Sequence, residues 1–246
     1  LAAEAALRVG AGLVTLAVPE LLYPVLAAKL TEVMVVPVSD DGMGYFAGDK
    51  ALTEALALAG NADAVLIGPG IGRAEGTSEF VRLFAADVKA PLVMDADAIG
   101  AFRGHLDALH ALPQVPVLTP HLGEFAGLLG KSVEEVEIDL LGIAREAAHA
   151  HQAVFVVKSA CTIVVYPDGD AFFTTCGNAG MATAGAGDVL AGTVAGLMRQ
   201  MESGMTPIVG VYVHGRAGDI AYEHCGNGLV AGDILELLPQ ALKELS

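Results

Sequence analysis

One segment concentrates residues able to handle an anion and a proton. It runs Gly177-Asn178-Ala179-Gly180-Met181-Ala182-Thr183-Ala184-Gly185-Ala186-Gly187-Asp188-Val189-Leu190-Ala191-Gly192. A loop of small residues ends at a carboxylate, and an apolar helical run follows. Glycine lets a backbone approach a ligand closely and adopt positive φ. A helix start adds unpaired N–H groups and the positive end of the helix dipole. Asp188 has two compatible readings. It can cap the helix, a place Asp favours. It can also take a proton from a hydroxyl held beside a phosphate-binding helix start. The glycine density exceeds what a cap alone requires.

Four more clusters follow short apolar runs: Gly68-Pro69-Gly70-Ile71-Gly72, Met94-Asp95-Ala96-Asp97-Ala98, Thr119-Pro120-His121-Leu122-Gly123-Glu124, and Lys158-Ser159-Ala160-Cys161-Thr162. The elements that must position them alternate. Strands are expected at 13–18, 33–38, 64–68, 91–94, 115–119 and 154–157. Helices are expected at 20–30, 50–58, 77–86, 123–129 and, as one long element, 133–151. Strands at 162–166 and 171–175 flank Pro167-Asp168-Gly169-Asp170, a hairpin turn by composition. Helices at 188–201, 207–224 and 231–245 complete the chain. Alternating strands and helices imply a parallel sheet covered on both faces, and continuous apolar strands suit burial on both sides. Ligands in such sheets sit at the carboxyl ends of the strands, where all five clusters fall. One domain is expected over residues 1–246.

Composition narrows the function. The chain has 246 residues, 54% hydrophobic and 17% charged. That is enough apolar surface to fold, so disorder is excluded. No apolar run of about 18 residues suggests a membrane helix. Thirteen Lys and Arg against 29 Asp and Glu give a net charge of −16, a poor match to a nucleic-acid backbone. Aromatics are 5% with no Trp, which argues against base stacking. Backbone N–H groups can still hold a small phosphorylated ligand. Cys161, Cys176 and Cys225 are odd in number and far apart, without metal-ligand spacing. Neither a disulfide scaffold nor a zinc site is expected, and a reducing cytosol fits. Leu1–Arg8 reads as the middle of a helix, so a preceding segment is expected.

Ala184-Gly185-Ala186-Gly187-Asp188 ahead of an apolar helix resembles the anion-hole motif of the ribokinase-like superfamily. The fuller string resembles one branch more closely, the nucleotide-dependent NAD(P)H-hydrate dehydratases, whose pattern is Asn-Pro-Gly-Met-Ala-Thr-Gly-Gly-x-Gly-Asp-Val-Leu-Ala-Gly. Ala179 stands where that pattern has Pro and Ala184 where it has Gly. The other four clusters resemble the family's Gly-Pro-Gly-x-Gly, Asp-Ala-Asp-Ala, Thr-Pro-His-x-Gly-Glu and Lys-Gly-x-x-Thr, in the same order, with Ser159 replacing Gly. The resemblance implies a three-layer ribokinase-like α/β fold with a mostly parallel sheet and a C-terminal β-hairpin. It also implies an upstream strand and Gly-rich turn and, in many relatives, an upstream epimerase domain.

What the resemblance implies chemically is repair of NADH or NADPH hydrated at a nicotinamide double bond, in the S epimer. Phosphorylating the hydroxyl converts a poor leaving group into phosphate, which the ring nitrogen's lone pair can expel. Asp188 is the implied base and touches substrate, with Gly70, Gly72 and His121 lining the substrate side. Lys158, Ser159, Ala160, Cys161, Thr162, Gly185 and Gly187 are implied to hold the nucleotide, ADP or ATP, accompanied by Mg²⁺. No dedicated metal cluster is visible. A homotetramer is implied.

Blander readings stand beside these. His121 is an ordinary loop histidine, Glu124 a first-turn partner of the helix dipole, and Asp95 and Asp97 are either paired acids or, the favoured reading, a helix-start cap and site scaffolding. Asn178 is a supporting residue, Lys158 a surface amine and Thr162 a β-former. His214, Asp219 and His224 read as structural, as do the cysteines, and the Met198–Met205 tract as helix packing. Two other functions stay open: a ribokinase-like kinase of a vitamin-precursor alcohol, and a non-catalytic nucleotide-binding subunit.

Overall fold

Every strand of the main sheet is short, and its side chains divide cleanly between two faces. A computed structural model describes residues 1–201 and 204–245. In chain order it contains α1 (Ala2–Arg8), β1 (Thr15–Pro19), α2 (Tyr23–Lys29), β2 (Met34–Val38), α3 (Gly48–Ala59), β3 (Val65–Ile67), α4 (Glu75–Asp87), β4 (Leu92–Met94), α5 (Asp97–Gly100) and α6 (Asp107–His110). There follow β5 (Val117–Leu118), α7 (Leu122–Leu129), α8 (Val133–Ile138), α9 (Leu140–His151), β6 (Val154–Val157), β7 (Ile163–Val165), β8 (Ala171–Phe173), α10 (Ala186–Leu197), α11 (Thr206–Cys225) and α12 (Ala231–Lys243).

Six strands form the sheet β3-β4-β5-β6-β7-β8. β3 to β6 are parallel, and β6-β7-β8 run antiparallel. Successive side chains on a strand point to opposite faces. Met94, Leu118, Phe155, Val157, Ile163 and Val165 therefore pack with α3, α4, α5, α7 and α9. Val93, Val117, Val154, Val156 and Val164 pack with Leu190 and Val194 of α10 and Val211 of α11. Both faces are covered, which is why these strands read as continuous apolar runs. Behind α10 and α11, a further cluster joins them to α1 and α12. The result is the expected three-layer α/β architecture with its antiparallel hairpin.

Four expectations are corrected. β1 and β2 pair in parallel only with each other, as a separate two-stranded sheet. Their faces are half covered: Met34 is exposed, as are Leu21 and Val25 beside them. The single helix over 133–151 is two helices. Asp139 breaks it with φ −144° and ψ 61°, and its carboxylate accepts the Gly142 N–H to start α9. α5 and α6, one turn each, were not expected. The Met198–Met205 tract lies outside α10, which ends at Leu197, and residues 202–203 lie outside the described residues.

Two glycine spacings are explained by packing. A Cβ on Gly192 would strike the Ala2 carbonyl, and one on Gly196 would meet Ala6 Cα at 2.6 Å. Small residues one turn apart let α1 lie directly on α10. These glycines serve close helix packing, while Gly185 and Gly187 open the helix.

Candidate active site

Parallel strands put their carboxyl ends on one edge, so the expected clusters become neighbours in strand order. Gly68 follows β3, Asp95 follows β4, Thr119 follows β5 and Lys158 follows β6. Adjacent ends are stitched together. The Asp95 N–H donates to the Ile67 carbonyl at 3.1 Å, and Thr119 N–H to the Met94 carbonyl at 3.1 Å. Lys158 N–H donates to the Pro120 carbonyl at 2.8 Å. Gly68 takes φ 131°, and any Cβ there would strike the Asp95 carbonyl. That position therefore requires glycine.

At the centre is a buried carboxylate. Asp95 is 1% exposed. Its Oδ1 accepts from Thr119 Oγ1 at 2.7 Å and from Lys158 Nζ at 2.9 Å. A buried acid needs such partners, because an uncompensated charge in the interior is strongly unfavourable. Lys158 is consequently held inward; its side chain is 21% exposed. A Cβ on Gly187 would lie 3.1 Å from Lys158 Nζ and 4.0 Å from Asp95 Oδ2. The first turn of α10 thus rests on this ion pair. The surface-amine reading of Lys158 is set aside. An ammonium has three donors, so bonding Asp95 leaves two.

Asp188 is the third residue of α10. Gly185, at φ 89°, holds the N-cap place and makes no side-chain cap. The cap reading of Asp188 is thereby corrected. Its carboxylate has no ion pair or hydrogen bond among the described residues. Burial pushes its pKa up, and the nearby Asp95 carboxylate pushes the same way, partly offset by positive groups that include Lys158. The Gly187 and Asp188 amides have no carbonyl one turn back to bond, as at any helix start. A half-buried carboxylate with raised proton affinity beside two free amides can accept a proton and hold an anion.

The flanking clusters have defined geometry. His121 caps α7: its Nδ1 accepts the Glu124 N–H at 3.2 Å, while Glu124 Oε2 accepts the His121 N–H at 2.9 Å. That donor assigns Nδ1 the lone pair. The His121 side chain is 60% exposed. The dipole-partner reading of Glu124 sharpens into a reciprocal cap. Phe125 on the next position packs edge-on against Phe155 of β6, centroids 5.3 Å apart, which seats the His121 turn beside Lys158. Gly70 and Gly72 take φ 69° and 92° in an open turn. Asp97 scaffolds that turn, its Oδ2 accepting the Gly72 N–H at 3.2 Å and its Oδ1 accepting from Arg73 Nε at 2.6 Å. Neither Asp95 nor Asp97 caps a helix; Ala96 takes the N-cap place of α5.

The loop after Lys158 leads into the hairpin. Ser159 Oγ donates to the Cys161 carbonyl at 2.6 Å, and Cys161 Sγ to the Thr174 carbonyl at 3.1 Å. Ala160 and Cys161 are exposed, and Ser159 and Thr162 half-buried. Asn178 is a clasp rather than a free side chain. Its Oδ1 accepts the Gly180 N–H, and its Nδ2 donates to the Gly218 carbonyl and Asp219 Oδ1.

Three positioning residues lie outside the expected site set: Asp219 and His214, read as structural from the sequence, and Thr119. Asp219 also accepts the Gly177 N–H at 3.0 Å, fixing the glycine loop to α11. His214 contacts the Ala186 carbonyl at 3.0 Å through Nε2. Burial pushes its pKa down to about 4, so the imidazole is neutral and Nε2–H is the donor. Thr119 holds Asp95. A signal for the first two was available: polar residues recur within an otherwise apolar helix, which implies buried partners.

Known proteins resemble this chain over nearly its whole length. The family described as NAD(P)H-hydrate dehydratase matches over residues 1–240. The bifunctional NAD(P)H-hydrate repair enzyme Nnr of Moorella thermoacetica is 42% identical over 247 residues, covering 100% of this chain and 46% of that protein. The ADP-dependent (S)-NAD(P)H-hydrate dehydratase of Xanthomonas campestris pv. campestris is 35% identical over 248 residues, covering 100% of this chain and 83% of that protein. The solved ADP/ATP-dependent NAD(P)H-hydrate dehydratase of Bacillus subtilis, co-crystallized with ATP and Mg²⁺, superposes with a TM-score of 0.81 at 25% identity, covering 100% of this chain and 83% of that one. The chain spans about half the length of the bifunctional relatives it matches. With five motifs gathered on one sheet edge and a family match across nearly its whole length, the chain belongs to the NAD(P)H-hydrate dehydratase family.

Proposed function

We propose that this chain dehydrates the S epimer of hydrated NADH or NADPH, with ADP or ATP as phosphoryl donor. The observation that carries the reading is the Asp188 carboxylate in the first turn of α10, without a partner among the described residues and with its proton affinity raised by burial and by Asp95. Asp188 accepts the proton of the substrate hydroxyl as its oxygen attacks the terminal phosphorus of the donor. The bond from that phosphorus to the donor's bridging oxygen breaks, and the shortened nucleotide leaves. The Gly185–Gly187 turn and the amides of α10 stabilise charge on the transferring group, the main task in phosphoryl transfer. The ring nitrogen's lone pair then expels phosphate to leave an iminium, and loss of a proton from the adjacent ring carbon to phosphate or solvent restores the ring double bond and the reduced nicotinamide.

Lys158, Ser159, Ala160, Cys161 and Thr162 hold the nucleotide in this reading. Gly70, Gly72 and His121 hold the substrate, with Asp95, Asp97, Glu124 and Asn178 as their scaffold. Among the described residues no three His, Cys, Asp or Glu side chains gather as a metal cluster. In this reading Mg²⁺ would come carried on the nucleotide's phosphates, which would supply most of its oxygen ligands. When bound, it neutralises phosphate charge. A cytosolic homo-oligomer completes the reading. Among the described residues, no helix is long and apolar enough to cross a membrane.

The test is incubation with hydrated NADH or NADPH, Mg²⁺ and either ADP or ATP, following the near-ultraviolet absorbance of the reduced nicotinamide ring. A nucleotide-dependent rise is expected, and the more effective donor names itself. No rise with either donor, from folded protein, removes the dehydration reading and directs the assay to vitamin-precursor alcohols.

A further inference from the structure

Arg73 follows the Gly70-Ile71-Gly72 turn, and none of the roles above uses it. Asp97 ties the arginine and the turn together, one oxygen on Arg73 Nε and the other on the Gly72 N–H. The Arg73 side chain is 85% exposed, whereas Asp97 is 16% exposed. Exposed ion pairs between two mobile chains contribute little. This pair differs in its anchor, an acid mostly buried and already bonded to the backbone. The guanidinium bonds only through Nε, so its two terminal nitrogens have no hydrogen-bond partner among the described residues. Asp97 holds its pKa up, and Glu124 adds a smaller effect in the same direction. Arg73 therefore lies within electrostatic range of the His121–Glu124 turn, on the side of the sheet edge assigned to substrate.

The tie to Asp97 sets the reach. Asp97 lies two residues beyond Asp95, which sits under the first turn of α10, and its Oδ1 accepts from Arg73 Nε at 2.6 Å. Two residues span at most about 7 Å, so the guanidinium lies on the same sheet edge, roughly one sugar's length from the buried pair. A single ribose separates the nicotinamide of a dinucleotide from its diphosphate, which is a separation of this order. The planar fork of a guanidinium matches phosphate oxygens two at a time. The geometry points to Arg73 as the residue that binds a phosphate of the hydrated dinucleotide. This assignment rests on the dehydration reading above.

Arg73→Met is expected to raise KM for the hydrates about ten-fold, as for loss of a charged hydrogen bond. kcat should fall by no more than about two-fold, and KM for the nucleotide donor should not move. Arg73→Lys should recover part of the loss, because it restores charge without the fork. Equal losses with hydrated NADH and hydrated NADPH assign the bridging diphosphate; a loss confined to hydrated NADPH assigns its 2′-phosphate. Unchanged KM for both hydrates, or a rise confined to ADP or ATP, overturns the proposal. A fluorescence titration with NADH and NADPH separates this outcome from failure of the dehydration reading. Protein that binds the reduced dinucleotides but turns over neither hydrate overturns dehydration alone. Arg73 is then judged by whether Arg73→Met weakens that binding by a similar factor.

Discussion

Asp188 illustrates a conflict between stability and chemistry at a single residue. Its carboxyl pKa is raised above the ordinary value of 3.8 by burial and by Asp95. A raised carboxyl pKa means that the ionised form is less favourable in the fold than in the unfolded chain. The cost is present at pH values above the unfolded pKa and is relieved as pH falls through the folded one. Asp188→Asn removes it. That variant is expected to melt at a higher temperature than the wild type at neutral pH, with the difference shrinking towards acid. Its kcat should fall by about 10²–10⁴, the usual contribution of a positioned base, while nucleotide binding persists. Calorimetry and steady-state kinetics on the same preparation check both; full activity in Asp188→Asn rejects the role. For the wild type, the acid limb of kcat/KM should lie above the ordinary carboxylate range.

At the scale of elements, the position of α10 decides the site. Asp188 and the helix amides face the sheet edge only because α10 is held from three sides. Gly192 and Gly196 admit α1, the Lys158–Asp95 pair lies under the first turn, and His214 of α11 donates to the Ala186 carbonyl. His214 has a folded pKa of about 4 against an ordinary 6.5. Its neutral form is the native one, so its contribution is full above pH 6.5. It is lost as pH falls from there towards 4, because the unfolded chain takes the proton first. His214→Gln keeps a donor but cannot titrate. Its melting temperature should vary less than that of the wild type between pH 6.5 and 5, and equal slopes would refute the assignment. Element types were largely legible beforehand, since apolar runs of strand length alternate with helical ones. The break at Asp139 was not, because 133–151 stays apolar at helical spacing across it. The decisive feature is one side chain bonding forward to Gly142.

The whole molecule divides into parts of unequal burial. Strands β3 to β7 of the main sheet are covered on both faces, while the edge strand β8 exposes Phe172 and Phe173. β1 and β2 form a separate pair, with Leu21, Val25 and Met34 exposed around them. Local opening is easiest where buried apolar contacts are few. Amide hydrogen exchange should therefore be faster in 15–19 and 34–38 than in 92–94 and 154–157. Uniform protection across all four would contradict this.

The amino-acid sequence by itself determined the alternation of strands and helices, the net charge of −16, and the five clusters that end the strands. Those features are local: periodicity, composition and turn chemistry act within a few residues. Only the tertiary structure decided which clusters touch. Lys158 stands 63 residues from Asp95, and their bond exists because β4, β5 and β6 lie side by side. Separations of 41, 25 and 24 residues likewise hid the Asn178–Asp219 clasp and the tie from Asp97 to Gly72 and Arg73. Also hidden was the separation of β1 and β2 from the main sheet, since strand partners are chosen by packing and not by strand composition.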